Sequence, residues 1–187
     1  MFALSEAYLA LGELEKTQQL VTDAIKAEPT NVRGLYILGC IALKRRDYRE
    51  AAIYLQRALQ SGVSDARLPA ARALLGMKDY NEAFTLANAI AAANNSAESQ
   101  LLLGNAALAL NDLKTAEPAL KLAIKGNRDS AEGLALLSIV YQRRGDKVLA
   151  DSYHKDAVKR DSKVFSTLLL PTQSALPEEK NAVPNAM

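Results

Sequence analysis

The sequence predicts an all-α solenoid of five helix-turn-helix hairpins, on two observations. The first is a twelve-residue step between two small residues, with a polar break between two amphipathic runs. It occurs five times: Ser5 to Thr17, Gly39 to Ala51, Ala71 to Ala83, Gly104 to Ala116 and Ser138 to Ala150. The second is the period of these steps, whose second members lie 34, 32, 33 and 34 residues apart, the repeat length of a two-helix solenoid. The spacing predicts that Gly39 faces Ala51 where two antiparallel helices cross, since small side chains let the axes approach to roughly 8–10 Å. Leu35, Leu38 and Leu55 then fill the space around the contact, and the next hairpin must cover the apolar face that is left.

Taken in order, residues 1–11 and 14–27 read as the two helices of the first hairpin, with Gly12 and Glu13 as the turn and Pro29 as the stop. Thr30 and Asn31 can cap a helix over 32–44, Asp47 opens its partner, and Ser61 and Gly62 close it. Proline disfavours helix at the residue before it, so the third hairpin is expected to start close to Pro69 with a short first helix. Gly76-Met77-Lys78 turns the chain, Asp79 or Asn81 caps the second helix, and Asn94-Asn95 ends it. The fourth hairpin spans 96–127, with Asn111-Asp112 as its turn and Gly126 as an expected left-handed cap. Pro118 falls inside its second helix, where the missing N–H costs about 3 kcal/mol unless the helix starts late or bends. The fifth spans 130–161. Beyond it, Val164, Phe165, Leu168, Leu169 and Leu170 form an apolar stretch able to cover the open end of the stack, and Pro171 limits its length. The repeats divide at about 1–31, 32–63, 64–95, 96–129 and 130–163, with a cover at 164–170. One domain, 1–170, is thus followed by 171–187, which carries three prolines, has no helical or alternating pattern, and reads as a disordered tail.

The residues resemble the tetratricopeptide repeat family, whose pattern runs bulky-x2-Leu-Gly-x2-Tyr, Ala-x3-bulky, then Pro. The second hairpin supplies Leu35, Leu38, Gly39, Ala51, Leu55 and Ala58, with Ala42 in the tyrosine slot and Val63 in the proline slot. The fifth supplies Leu134, Leu137, Ser138, Tyr141, Gly145, Ala150 and Ala157, with His154 in place of the second bulky residue. Leu103, Gly104, Ala116, Leu120 and Ala123 fit well, whereas Arg67, Ala70, Ala71, Ala83 and Ala87 are a weak copy. The resemblance covers residues 1–163 and implies a right-handed superhelix. Met1 stands at the fourth position of the family's repeat, so upstream sequence that completes the first helix is expected.

Composition narrows the function. The 187 residues are 49% hydrophobic and 24% charged with a net charge of +2, which disfavours a nucleic-acid reader that relies on phosphate contacts. The pairs Arg45-Arg46 and Arg143-Arg144 fall at the ends of first helices, where cations oppose the helix dipole. One cysteine, Cys40, allows no intramolecular disulfide. No apolar run approaches the roughly 20 residues that cross a bilayer; the longest helical candidate, 101–110, is interrupted by Gly104 and Asn105. A catalytic or metal site needs convergent groups, and the chain has one His and one Cys. His154 is expected at a packing position in or beside the core. No catalytic residue, cofactor or metal site is assigned.

What remains is surface. The resemblance implies that the first helix of each hairpin lines a concave groove for a protein or peptide partner, through Arg33, Tyr36, Cys40, Leu43 and Lys44, then Leu68, Arg72 and Leu75, then Leu101, Asn105 and Leu108, then Ile139, Gln142 and Arg143. Apolar residues beside isolated cations and amides suit an extended peptide or an amphipathic helix. Chaperone-binding family members hold a carboxylate with a clamp of Lys, Asn and Arg. Here those slots hold Tyr36, Cys40, Pro69, Glu98 and Leu102, so the clamp is absent. A non-enzymatic binding scaffold is the reading the sequence favours, with self-association through the end repeats left open. Two alternatives also stay open: an assembly factor of a bacterial envelope or pilus system with its N-terminus missing, and a regulatory module of a larger enzyme. The compartment divides in the same way, cytoplasmic if Met1 is the true start and envelope-associated if a signal precedes it.

Overall fold

The computed structural model describes residues 2–28 and 31–169. The expectations for Pro29, Thr30, Leu170 and the tail 171–187 lie outside them. Among the described residues eleven α-helices follow in sequence: α1 (Phe2–Ala10), α2 (Leu14–Ala27), α3 (Val32–Lys44), α4 (Tyr48–Gln60), α5 (Arg67–Gly76), α6 (Tyr80–Ala93), α7 (Ala97–Ala109), α8 (Leu113–Gly126), α9 (Ala131–Arg143), α10 (Lys147–Arg160) and α11 (Val164–Thr167). The first ten pair as five antiparallel hairpins.

Each turn inside a hairpin is built the same way. One residue takes the left-handed conformation: Gly12, Arg46, Lys78, Asn111 and Gly145, with φ between 61° and 80°. The next residue's N–H reaches back to the carbonyl five residues earlier, as in Asp47 to Ala42 and Asp112 to Ala107, both at 2.9 Å. This backbone pattern satisfies carbonyls the helix end leaves free. In three hairpins that same residue caps the following helix, because the Oδ1 atoms of Asp47, Asp112 and Asp146 accept from the N–H groups of Glu50, Thr115 and Leu149. Asn31, Ser96 and Ser130 cap α3, α7 and α9 in the same manner.

Several expectations change. Gly39 does not find its closest neighbour in Ala51: a Cβ there would stand 2.5 Å from Cγ of Leu55, one turn further on, and Gly104 meets Leu120 identically. The small residue makes room for a leucine, while Ala51 and Ala116 are fully buried nearby. The first helix of the third hairpin is short and starts close to Pro69, as expected, but at Arg67, after a 3-10 turn over Ser64–Ala66, so that Pro69 is its third residue. Proline is tolerated there because first-turn N–H groups have no intrahelical acceptor. Gly126 is not a left-handed cap. It is the last residue of α8, and a Cβ on it would approach Ala97 to 2.8 Å. Pro118 is accommodated as the sixth residue of α8, exposed, with helix on both sides.

The core is a row of clusters, each shared by neighbouring elements: Leu9, Val21, Ile37 and Ile41; then Ala51, Leu55, Ala66 and Ala70; then Ala71, Ala83, Leu102 and Leu103; then Leu108, Leu120, Leu136 and Tyr141; then Leu134, Ala135, Ala157 and Val164. His154 departs from its expected place. It is exposed and stacks on Phe165, with ring centroids 4.4 Å apart, and it lines a surface pocket of about 280 Å³ with Ser138 and Gln142. The last two hairpins are also tied by charge. Glu117, on α8, accepts from Tyr141 Oη at 2.7 Å and pairs with Lys121 at 2.6 Å and with Arg144.

Besides packing within and between hairpins, the first helices touch one another in series, α1 to α3, α3 to α5, α5 to α7 and α7 to α9. They form the inner, concave layer of the stack.

Candidate functional site, a concave cavity

Two repeat positions put charge on the concave layer. The residue just after each small crossing residue is Glu6, Cys40, Arg72, Asn105 or Ile139, and the residue six places before it is Arg33, Asp65, Glu98 or Glu132. Pairs form between these positions on neighbouring hairpins. Arg33 Nε bonds Glu6 Oε1 at 2.5 Å and its Nη1 bonds Asp65 Oδ2 at 3.1 Å, while Arg72 Nη2 pairs with Glu98 Oε1 at 3.1 Å. The Arg33 guanidinium also lies over the Tyr36 ring, 5.2 Å from its centroid, a geometry that holds both in place.

These side chains surround a cavity of about 700 Å³. Its floor is apolar, with Leu9, Tyr36, Cys40, Leu43 and Leu68; its walls carry Glu6, Arg33, Asp65, Arg72 and Glu98; and Lys44 and Arg46, from the C-terminal end of α3 and the turn after it, also line it. Lys44 and Arg46 make no ion pair among the described residues. Burial pushes the Tyr36 phenol up to about 12, with the neighbouring Cys40 adding to the shift, and burial likewise raises the Cys40 thiol. Both therefore stay neutral near pH 7, and the floor offers O–H and S–H donors without charge. Glu132, desolvated behind Arg72, is raised by burial and opposed by that cation. It lines an adjoining pocket of about 390 Å³ with Arg72, Glu98 and Leu101. Among the described residues no cluster of His, Cys, Asp and Glu could hold a metal, and no helix is long and apolar enough to cross a membrane.

The structure brings together Arg33, Tyr36, Cys40, Lys44, Leu68 and Arg72 from the residues assigned by sequence. It removes others. Leu75 and Leu108 are 2% and 0% exposed and belong to the core, Leu75 in the cluster with Leu102 and Ala106 and Leu108 in the one with Leu136 and Tyr141. Asn105 is 4% exposed, with an Oδ1 atom that has no hydrogen-bond partner among the described residues. Arg143 is spent on structure: its Nη1 donates to the carbonyl of Leu108 at 2.6 Å and to Asn111 Oδ1 at 3.2 Å, tying α9 to the end of α7. Leu101 and Ile139 are half-buried, and Gln142 is exposed beside Ser138 and His154, away from the main cavity.

Sequence reasoning missed Glu6, Leu9 and Ala10 of α1, although the positional rule that selects Cys40, Leu43 and Lys44 in α3 selects them too. It also missed Asp65 and Glu98, which share the repeat position of Arg33. Thr167 and Leu169 line the cavity as well, and no repeat pattern points to them.

Comparison with known proteins agrees with this architecture. The tetratricopeptide repeat family matches residues 2–66 and, separately, 97–129. The chain belongs to the tetratricopeptide repeat family. Over 62 residues it is 40% identical to the formate-dependent nitrite reductase complex bifunctional subunit NrfFG of Haemophilus influenzae, a match covering 32% of this chain and 16% of that protein. The chain thus spans about a sixth of that relative's length. Among solved tetratricopeptide folds, MamA residues 41-end from Desulfovibrio magneticus RS-1 superposes with a TM-score of 0.69 at 21% identity, covering 86% of this chain and 93% of that one. YrrB, described as a TPR protein with an unusual peptide-binding site, superposes with a TM-score of 0.65 at 15% identity, covering 88% and 86%. At these identities the likeness is one of fold.

Proposed function

We propose that this tetratricopeptide repeat protein is a non-enzymatic interaction scaffold that holds a peptide or short helical segment of a partner protein in the cavity over α1, α3 and α5. The observation that carries the reading is the composition of that cavity. A neutral apolar floor is bordered by charges already fixed in mutual pairs, an arrangement that buries apolar side chains of a ligand while polar walls set its register. Tyr and Arg, here Tyr36 and Arg72, are the types whose truncation at interfaces most often costs more than about 2 kcal/mol. That one structural neighbour is described as having a peptide-binding site is in keeping with this use of the fold.

The test is affinity capture with Tyr36→Ala and Arg72→Ala combined. Neither residue stands at a helix crossing, so helical content should stay unchanged while partner capture falls at least about tenfold, equivalent to about 1.4 kcal/mol. Lys155→Ala, exposed on α10, should change nothing. Undiminished capture by the double variant would show that the cavity is not the working surface.

The match to NrfFG supports a narrower second reading, in which the partner is a component of a multi-subunit enzyme complex that the repeat module serves. Capture that returns only proteins unconnected with any such complex would remove it.

A further inference from the structure

The cavity is lined by two residues from the far end of the chain, Thr167 and Leu169, together with Leu68, Pro69 and Arg72 of the third hairpin. Their route can be followed residue by residue. Val164, 2% exposed, is buried in the terminal cluster with Leu134, Ala135 and Ala157, and α11 touches α9. Leu168 packs on both that cluster and the one holding Leu108, Leu137 and Tyr141. Leu169 packs on the cluster holding Ala71, Leu75, Leu102 and Ala106. Within a few residues of α11 the chain has left the fifth hairpin and reached the concave side of the third and fourth. The order of these contacts points along the inner layer toward α3, where Lys44 and Arg46 stand without ion-pair partners among the described residues. The sequence that continues from Leu169 carries the acidic pair Glu178-Glu179. Ten residues span up to about 33 Å, more than the roughly 20 Å from α5 to α1 at a helix spacing near 10 Å.

We propose that residues 168–179 of this chain occupy the concave cavity in cis, with Leu169 as the apolar anchor and Glu178 and Glu179 toward Lys44 and Arg46, so that a partner binds only by displacing them. The proposal rests on the reading of the cavity as a peptide-binding groove. Tethering makes a modest fit sufficient. A linked segment sees an effective concentration on the order of 1 mM, so an intrinsic Kd of about 0.1 mM keeps the groove roughly nine-tenths filled and weakens an external ligand about tenfold.

Cys40 is the chain's one cysteine and lines the cavity, which makes it a reporter in the full chain. Ser174→Cys supplies a partner thiol midway along the proposed segment. Under copper-phenanthroline oxidation an intrachain disulfide to Cys40 is expected at least about tenfold faster than in the same chain carrying Leu169→Asp. Lys44→Glu with Arg46→Glu, both exposed, is expected to slow the disulfide without touching the core. Equal rates with and without Leu169→Asp would overturn the proposal, and so would disulfide-linked dimers in place of the intrachain product, since these would put the segment of a second copy in the groove. If the rates are equal while Tyr36→Ala with Arg72→Ala still abolishes partner capture, cis occupancy is wrong and the groove reading stands. If neither measurement responds, both are wrong.

Discussion

Leu55 fills the space that a side chain on Gly39 would need, with its Cγ atom 2.5 Å from the position of a Cβ, and Leu120 does the same at Gly104. Leucine and glycine are therefore one packing unit, and the unit can be tested by its coupling. Gly39→Ala should lower stability by about 1 kcal/mol, since overpacking costs roughly 1–3 kcal/mol and alanine returns about 1 kcal/mol of helix propensity. In a Leu55→Ala background the same substitution should instead stabilise by about 1 kcal/mol. Urea denaturation of the four-member cycle measures this, and an unchanged sign would show that the crossing is not closed by Leu55.

The left-handed turn residues Arg46 and Lys78 carry long side chains where two of the five hairpins have Gly and one has Asn, types that enter this region at lower cost. A left-handed side-chain-bearing residue costs roughly 1–2 kcal/mol, and glycine gives back about 0.5–1 kcal/mol through its freer unfolded chain. Lys78→Gly should thus raise stability by about 0.5–1 kcal/mol, and Gly145→Ala should lower it by a similar amount. Thermal melts that move in the opposite directions would refute the strain.

Glu117 joins the fourth hairpin to the fifth, and its hydrogen bond from Lys121 above all, then that from Tyr141, holds its carboxyl below the usual range. A depressed carboxylate stabilises the fold fully above the unfolded pKa of about 4.3 and loses that contribution as pH falls through the folded value. Glu117→Gln should cost about 1–3 kcal/mol at pH 7, and its gap to the parent should narrow as pH drops below about 4. A gap that stays constant between pH 7 and pH 3.5 in urea titrations would show that the carboxylate charge contributes nothing.

Val164 covers Leu134, Ala135 and Ala157 at the end of the stack. Removing the chain from Lys163 onward should expose that face and drive self-association, whereas removal from Pro171 onward should leave the chain monomeric. A monomeric, equally stable shorter chain would show that the helix after Lys163 is dispensable.

The repeat was legible because its physics is local. Helix boundaries follow from capping residues and turns whose pattern recurs at one repeat position: Asp47, Asp112 and Asp146 at the caps, and Gly12, Arg46, Lys78, Asn111 and Gly145 at the turns. The resemblance to the tetratricopeptide repeat family then implies which helices are inner, and with them Tyr36, Cys40, Leu68 and Arg72. What depends on a neighbour's shape was not legible. Leu75 and Leu108 share a repeat position with the cavity residue Leu43, but burial against the next hairpin takes them into the core. Arg143 shares its position with Lys44, and only the proximity of α7 turns it into a tie to Leu108.

The sequence alone determined the number of hairpins and their phase, since both rest on contacts within about one repeat of 34 residues, and the family resemblance it carries implied the concave face. The tertiary structure alone decided the state of that face. Arg33 meets Glu6 and Asp65 only when three hairpins stack, and Leu169 joins Leu68 in the cavity lining only because the chain after α11 packs on the cluster of the third and fourth hairpins. The physical reason is separation along the chain. Periodicity describes interactions that every repeat makes, whereas a segment without a repeat, placed by the surface it happens to meet about a hundred residues away, leaves no periodic trace.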